Sequence, residues 1–309
     1  MNKVCVLGSI NMDLVIKVKD MPKAGETILS KSFEKIAGGK GANQAVAAKR
    51  CGNKVSMIGK IGQDDNGEIL KGLLDKEEID TELIFKDAEH PTGMAMITVN
   101  EKSENSIVVI SGSNMNLKNK EVDCARETIK ESDILIAQFE TPEEMTIKAF
   151  SIAKEYGKIT ILNPAPAREI ESELLKVTDI IIPNETEAEI LTGVRVNDLE
   201  TAKIAGHKLL KNGIKIAIIT LGEKGAAIIT KEKAELVKAF KVNAVDTTAA
   251  GDSFIGGLSY KLNIENFDFE NLKEAVTFGN KVSSIAVQRE GAQPSIPTLK
   301  EIIDIYGEE

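Results

Sequence analysis

Tryptophan is missing from this chain, aromatic residues make up only 4% of it, and histidine occurs twice, at His90 and His207. His90 precedes Pro91 in a loop-like stretch, and His207 lies beside Lys208 in a helical one. With no better-placed imidazole, a Ser-His-Asp hydrolase or a multi-histidine metal enzyme is hard to assemble. Cysteine is nearly as scarce. Cys5, Cys51 and Cys124 are odd in number, widely scattered and without CxxC spacing, which speaks against a disulfide frame or a zinc site and suits a reducing compartment. Basic charge is short as well: the formal net charge is −9, whereas nucleic acid and anionic membrane both reward a basic face. Neither is expected as a partner. No apolar run nears the roughly 18 residues of a membrane span. Residues 1–10 open on Val4, Val6 and Leu7 rather than on a basic start and a long apolar core, so no signal peptide is expected and the cytoplasm is the default location. Two nucleotide signatures are absent too. The Gly-Lys pairs at 39–40 and 59–60 lack both the spacing and the following hydroxyl of a GxxxxGK[ST] loop, and no GxGxxG fingerprint occurs.

What is present is a rhythm. Short apolar runs at Val4–Leu7, Val55–Ile58, Ile134–Ala137, Ile159–Leu162, Ile180–Ile182 and Ile216–Ile219 alternate with helix-period segments. Those segments cover roughly Ala42–Cys51, Glu68–Glu77, Glu143–Tyr156, Thr186–Leu191 and Leu199–Lys211. Alternation of this kind predicts an α/β fold, a mostly parallel central sheet flanked by helices. The length of 309 residues suits one large domain, and no linker or repeat divides it. Residues 13–36 and 92–110 break the rhythm with alternating strand patterns and no helix within either region. They are read as a small antiparallel β lid projecting from the core.

Polar residues follow the predicted strands: Ser9, Asn11 and Asp13; Gln138 and Glu140; Asn163; Asn184 and Glu185; Thr220. Open parallel sheets bind ligands beyond the carboxyl ends of their strands, and five such ends together favour a site for a polyhydroxylated ligand. Two segments stand out further. Gly38-Gly39-Lys40-Gly41-Ala42-Asn43-Gln44-Ala45 opens a small-residue helix, with glycines that admit close backbone approach and Lys40 and Asn43 to bond hydroxyls or phosphate. Asp246-Thr247-Thr248-Ala249-Ala250-Gly251-Asp252 opens a second helix whose free N–H groups and dipole form an anion hole. Asp252 falls in its first turn. A carboxylate beside an anion hole fits a base that takes a proton from an attacking hydroxyl while the hole holds a phosphoryl group. On the residues alone, an ordinary capping aspartate explains the position equally well.

With these two segments the chain resembles the ribokinase family, within the carbohydrate kinases that include fructokinases and adenosine kinases. Further likeness lies in Gly8–Asp13, Asn163–Arg168, Pro183–Glu189, Thr220–Gly222 and Gly291–Ser295, in the family's order. The resemblance implies a ribokinase-like fold and transfer of the terminal phosphoryl group of ATP to D-ribose. It implies Asp252 as base and Ala249, Ala250 and Gly251 as anion hole. Asn11, Asp13, Gly39, Lys40, Asn43 and Glu140 would hold the sugar together with Asp252. For the nucleotide it implies Asn184, Thr220, Leu221, Gly222, Glu223, Lys224, Gly225, Gly251 and Asn280. Asn184 and Glu187 would organise Mg²⁺, largely through water. Asp246, Thr248, Ala286, Arg289, Gly291 and Ser295 would hold K⁺ as a monovalent activator, several of them through backbone oxygens. The plain alternative is that Asp246 caps the helix and Arg289 pairs with a surface acid. Apolar lid strands also suggest a homodimer formed through the lid. Other readings keep the chemistry and change the acceptor, to fructose, a deoxyribose, a nucleoside or a keto-deoxy acid, or keep the fold as a non-catalytic sugar binder. Scarce aromatics disfavour a nucleoside, and Asp13 and Glu140 disfavour an acid sugar.

Overall fold

The computed structural model describes residues 1–102, 104–265 and 267–307, so Ser103 of the lid range and Asn266, Glu308 and Glu309 lie outside the described residues. In chain order the elements begin with β1 (Lys3–Leu7), β2 (Asn11–Lys17), β3 (Ser32–Gly38), α1 (Lys40–Arg50), β4 (Lys54–Gly62), α2 (Asp65–Lys76), β5 (Ile84–Asp87), β6 (Gly93–Val99) and β7 (Asn105–Ile110). Next come α3 (Asn119–Cys124), α4 (Arg126–Glu131), β8 (Ile134–Ala137), α5 (Glu143–Glu155), β9 (Ile159–Leu162), α6 (Ser172–Lys176), β10 (Ile180–Ile181), α7 (Glu185–Thr192) and α8 (Leu199–Leu210). The chain closes with β11 (Ile216–Thr220), β12 (Ala226–Ile229), β13 (Ala234–Val237), α9 (Ala250–Lys261), α10 (Phe269–Ala286) and α11 (Leu299–Tyr306).

Nine strands form the main sheet in the order β13-β12-β11-β10-β9-β8-β1-β4-β5. The seven from β11 to β5 run parallel, and β12 and β13 add an antiparallel edge. The reason lies in the strand sequences. Successive side chains of a strand point to opposite faces. Val4 and Val6 of β1 enter one buried cluster, with α1, α9 and α10, whereas Cys5 and Leu7 enter the other, with α4, α5 and α8. A strand covered on both faces needs apolar residues at every position, which is why these runs read as continuous rather than alternating. Truncating a filled position such as Ile136, fully buried, should cost about 2–5 kcal/mol. All three cysteines are free thiols, and burial pushes those of Cys5 and Cys51 up to about 12.

The predicted strands and helices of the core are present, with ends that move by at most four residues. The edge pair β12–β13 and the long helix α10 carry no marked signal in the sequence. The small sheet is also present, in the order β3-β2-β6-β7. Its outer pairs, β2–β3 and β6–β7, are antiparallel hairpins, while the central pair β2–β6 is parallel. The parallel seam has a simple cause: β2 follows β1 and β6 follows β5, and both leave the same end of the main sheet in the same direction. Residues 18–31, inside the expected lid range, contain no strand. No helix among the described residues is long and apolar enough to cross a membrane.

Candidate active site

Two helices that pack closely bring the two glycine-rich segments together. A Cβ on Gly256 of α9 would lie 2.4 Å from the Cβ of Ala47 in α1, so these helices touch nearly backbone to backbone. One turn nearer their N-termini the same alignment sets Asp252 beside Asn43. Asn43 Nδ2 donates to Asp252 Oδ2 at 3.1 Å, and Gln44 Nε2 donates to Oδ1 at 2.9 Å. Asp252 is buried and is the third residue of α9. The N-cap is Ala249, in the left-handed region at φ 57, with no side-chain cap. Asp252 is therefore no capping aspartate. Nor does Asp246 cap this helix. Of the expected anion-hole groups, Ala250 donates its N–H to Thr247 O at 3.2 Å, whereas a Cβ on Gly251 would meet nothing within 4 Å. The helix start thus faces open space at Gly251.

The first glycine-rich segment lies against the turn after β1. Gly39 has φ 90, and a Cβ there would lie 2.7 Å from Asn11 N, while one on Gly41 would lie 2.5 Å from the carbonyl carbon of Gly8. Any side chain would push the two segments apart. A Cβ on Gly38 would fall 2.2 Å from Asp13 Oδ2, so the carboxylate of Asp13 lies flat on this backbone. Glu140, after β8, accepts from Ser9 Oγ and, at 3.3 Å, from the backbone N–H of Lys40. Asn11 is buried, its Oδ1 accepting from Asn114 Nδ2 at 2.7 Å.

Electrostatics couple several of these groups to one another. Burial, then the charges of Glu140 and Asp252, push the carboxyl of Asp13 up to about 7. Burial opposes the charge of Lys40, but Asp252, Glu140 and Glu187 outweigh it and hold its pKa above the usual value. Glu187 is raised chiefly by burial, against the N–H of Asn184 and the charge of Lys40. Glu187 thus lies within the field of the same lysine and of Asp252.

On the nucleotide side, Asn184 and Glu187 form a reciprocal cap on α7: Asn184 Oδ1 accepts from Glu187 N at 2.8 Å, and Glu187 Oε2 accepts from Asn184 N at 2.9 Å. Thr220 donates its N–H to Pro183 O at 3.0 Å, which places β11 and its following turn beside them. Gly222, Glu223 and Lys224 form one exposed 3₁₀ turn, closed by Leu221 N–H on Gly225 O at 2.7 Å. Asn280 Nδ2 donates to Val237 O and Lys238 O at 3.2 Å each, and a Cβ on Gly225 would collide with that same Val237 O. Asn280 and Gly225 therefore meet at one stretch of backbone. Asp246 joins two loops: Oδ1 accepts from Thr248 N and Oγ1 at 2.8 and 2.6 Å, and Oδ2 accepts from Gly291 N at 2.9 Å. These bonds hold its carboxyl below the usual value against its burial. Arg289 pairs with Glu301 at 2.7 Å, the surface partnership that the plain reading anticipated, while Ser295 Oγ donates to Ala292 O and Ala286 O accepts from Arg289 N. Among the described residues no three His, Cys, Asp or Glu side chains cluster as a metal site. The two histidines take no part in the site: His90 lies beside Asp87, and His207 is on α8.

Residues 1–299 match the family model described as pfkB family carbohydrate kinase. The chain belongs to that family. It is 44% identical to the ribokinase of Staphylococcus aureus (strain COL), over 97% of this chain and 98% of that one. It is 38% identical to the deoxyribokinase of Salmonella typhi, over 96% of each. Among solved structures, the ribokinase of Arabidopsis thaliana complexed with ribose and ATP superposes with a TM-score of 0.90 at 30% identity, covering 100% of this chain and 99% of that one. The sequence marks Ser9, Gln138 and Asn163 of this carbohydrate kinase as polar residues at strand ends and Gln44 as part of a glycine-rich segment, without a role for any of them. Asn114 carries no signal at all.

Proposed function

We propose that this carbohydrate kinase is an ATP-dependent ribokinase, moving the γ-phosphoryl group of ATP to the primary 5-hydroxyl of D-ribose and giving ribose 5-phosphate and ADP. The observation that carries the reading is Asp252: a buried carboxylate in an uncapped first helical turn, bonded by Asn43 and Gln44, in one electrostatic cluster with Asp13, Lys40 and Glu140. Kinship at 44% identity with a ribokinase across nearly all of both chains supports the acceptor.

In this reading the ribose lies between Asn11, Asp13 and Glu140 on one side and Gly39, Lys40 and Asn43 on the other. Carboxylates accept from sugar hydroxyls, and Asn43 Oδ1, buried without a partner, waits for a hydroxyl donor. A sugar hydroxyl is too weak an acid to ionise beforehand. Asp252 takes its proton as the bond from O5 to the γ-phosphorus forms and the bond from phosphorus to the β,γ-bridging oxygen breaks, releasing ADP. The start of α9 at Ala249, Ala250 and Gly251 faces the phosphoryl oxygens, with the helix dipole favouring their charge. The turn Thr220–Gly225, with Leu221, Gly222, Glu223 and Lys224, and the neighbourhood of Asn184 and Asn280 hold the nucleotide.

Magnesium fits the donors present, because the cap on α7 engages one oxygen of Glu187 and leaves the other. Glu187 and Asn184 would hold it, largely through water, and when bound it neutralises phosphate charge. Potassium fits the clasp between residues 246–248 and 286–295, where Asp246 already fixes both loops; Asp246, Thr248, Ala286, Arg289, Gly291 and Ser295 would hold it, mainly by oxygens, and it would stiffen the anion hole. The chain works as one kinase domain, residues 1–309, with a lid of about 13–36 and 92–110 that excludes water. That lid exposes Phe33 and Val108 on one face and Ile107 and Val109 on the other, apolar surface suited to a second copy in a homodimer. The negative charge and free thiols suit the cytoplasm.

A second reading, deoxyribose as acceptor, is favoured by the 38% identity to a deoxyribokinase. One assay separates them: ADP release from ATP and Mg²⁺ with ribose, 2-deoxyribose, fructose and adenosine. The expected result is the highest kcat/KM with ribose. Equal or better turnover of 2-deoxyribose would replace ribose as the acceptor, and no sugar-dependent ADP release would leave a sugar binder on the same fold.

A further inference from the structure

Behind Asp252 runs a chain of buried amides whose direction is set by the backbone. The carbonyl oxygen of Ile182 can only accept, so Asn163 must present Nδ2 to it, at 3.1 Å. That turns Asn163 Oδ1 towards Gln44, which donates Nε2 to it at 3.1 Å. The second hydrogen of the same Nε2 goes to Asp252 Oδ1 at 2.9 Å. Gln44 Oε1, on the far side, accepts from Gln138 Nε2 at 2.7 Å. Gln44, Gln138, Asn163 and Asp252 are all at most 9% exposed, so water does not compete for these bonds. A flipped Gln44 amide would set its oxygen against Asp252 Oδ1 and Asn163 Oδ1 and its nitrogen against another donor, and the low-dielectric interior makes that arrangement costly.

Gln44 differs in this from its neighbour. Asn43 gives one hydrogen to Asp252 and keeps a buried oxygen without a partner, which leaves it a group for substrate. Gln44 keeps none: both hydrogens and the oxygen are engaged inside the protein. It therefore has nothing to offer a sugar and only one thing to offer the reaction, a fixed direction for the carboxylate.

We infer that Gln44 is a positioning residue for Asp252, and that Asn163 and Gln138 lock its amide so that Nε2 always faces the base. A donor held on Oδ1 does two things. It stabilises the ionised carboxylate, the form able to take the proton. It also stops the carboxylate from rotating, so that the oxygen facing the sugar hydroxyl keeps its line of approach; a misplacement of about 1 Å can cost roughly 10²-fold in rate. This inference rests on the reading of Asp252 as base.

The test compares kcat–pH profiles of the wild type with those of Gln44→Met, Gln44→Glu and Asp252→Asn, with ribose, ATP and Mg²⁺ saturating, and folding checked by circular dichroism. Gln44→Met keeps the volume and removes both donors. It should lower kcat roughly 10- to 100-fold, leave KM for ribose and ATP within about threefold, and move the acid limb of kcat to higher pH. Gln44→Glu places a second carboxylate against Asp252 and should move that limb further. A residue of purely structural importance would lower the folded fraction and leave the limb where it was. Folded Gln44→Met with wild-type kcat and an unmoved limb overturns the inference, as does an effect confined to KM for ribose. Should Gln44→Met not fold, the near-isosteric Gln44→Glu decides on the same criterion. Asp252→Asn tells the two claims apart: if it stays active, the base assignment itself falls, whereas an inactive Asp252→Asn beside an unaffected Gln44→Met overturns the role of Gln44 alone.

Discussion

The acceptor side and the nucleotide side of this site are built on different plans. Around Asp252 the groups are buried side chains bonded to one another: Asn43, Gln44, Gln138 and Asn163, with the charges of Glu140 and Asp252 close enough to raise both Asp13 and Lys40. Around residues 184–187 and 220–225 the surface is more open, and the geometry is held by bonds to backbone groups: a reciprocal side-chain cap on α7, a single 3₁₀ turn and a bridge from Thr220 to Pro183. A small sugar must be told from its isomers by which hydroxyls find partners, and buried polar groups left unpaired penalise the wrong one. A nucleotide brings its own charge and area, so backbone turns and helix starts suffice to seat it. Substitutions on the acceptor side should therefore act strongly and selectively, and those on the nucleotide side more mildly.

The harshest check of that contrast is Asp252→Asn. It keeps the shape and removes the basicity, so kcat should fall by roughly 10²–10⁴-fold while calorimetry still shows ribose and ATP binding; a mutant keeping more than about a tenth of wild-type kcat would sink the assignment. Next, Asp13→Ala should raise KM for ribose more than about tenfold, the scale of a lost hydrogen bond to a charged group, with KM for ATP nearly unchanged. Equal effects on both would mean that the sugar is in the wrong place.

Acidity sharpens the same contrast. The carboxyl of Asp13 is pushed up to about 7, so below that pH it is largely neutral and accepts less well from hydroxyls. KM for ribose should fall as pH rises from about 6 to 8, and Asp13→Asn should flatten that dependence. The sign for stability is opposite. A carboxyl raised above its unfolded value binds its proton more tightly in the folded protein, so its contribution to stability declines as pH rises from about 4 to 7. Asp13→Asn should therefore gain in Tm relative to wild type as pH increases through that window, and thermal melts at pH 5 and 8 measure it.

The nucleotide side should yield smaller effects. K⁺, titrated against tetramethylammonium at constant ionic strength, should raise kcat several-fold, and Asp246→Ala should abolish the difference; equal rates in both salts would return Asp246 to a loop-clasping role. Smallest of all, Glu187→Gln can still cap α7 and should only raise the Mg²⁺ concentration needed for half-maximal rate, leaving KM for ribose alone. A change in ribose KM of the same size would erase the distinction between the two sides.

Much of this was legible in the residues, and for definite reasons. A strand buried on both faces must be apolar throughout, so β1, β8, β9 and β11 announced themselves, and the helix period did the same for α5 and α8. Of the expected base and sugar residues, Asp252, Gly39, Lys40 and Asn11 stand next to a glycine or at a strand end, where sequence and geometry are tightly linked. Other features were decided only when distant segments met. The parallel seam between β2 and β6 depends on where two strands leave the main sheet, and nothing within either strand records it. The plain alternative of Asp246 as a helix cap fails because the N-cap of α9 is Ala249, and the carboxylate instead reaches Gly291, 45 residues away. Gln44 is the sharpest case. Its neighbours in sequence made it part of a motif, but its bonds go to Gln138, Asn163 and Asp252, separated from it by 94, 119 and 208 residues. Local sequence determines which groups are available and which backbone can bend to admit them. Which of them touch, and so which way a buried amide must point, follows from helix packing and from a single backbone carbonyl at Ile182.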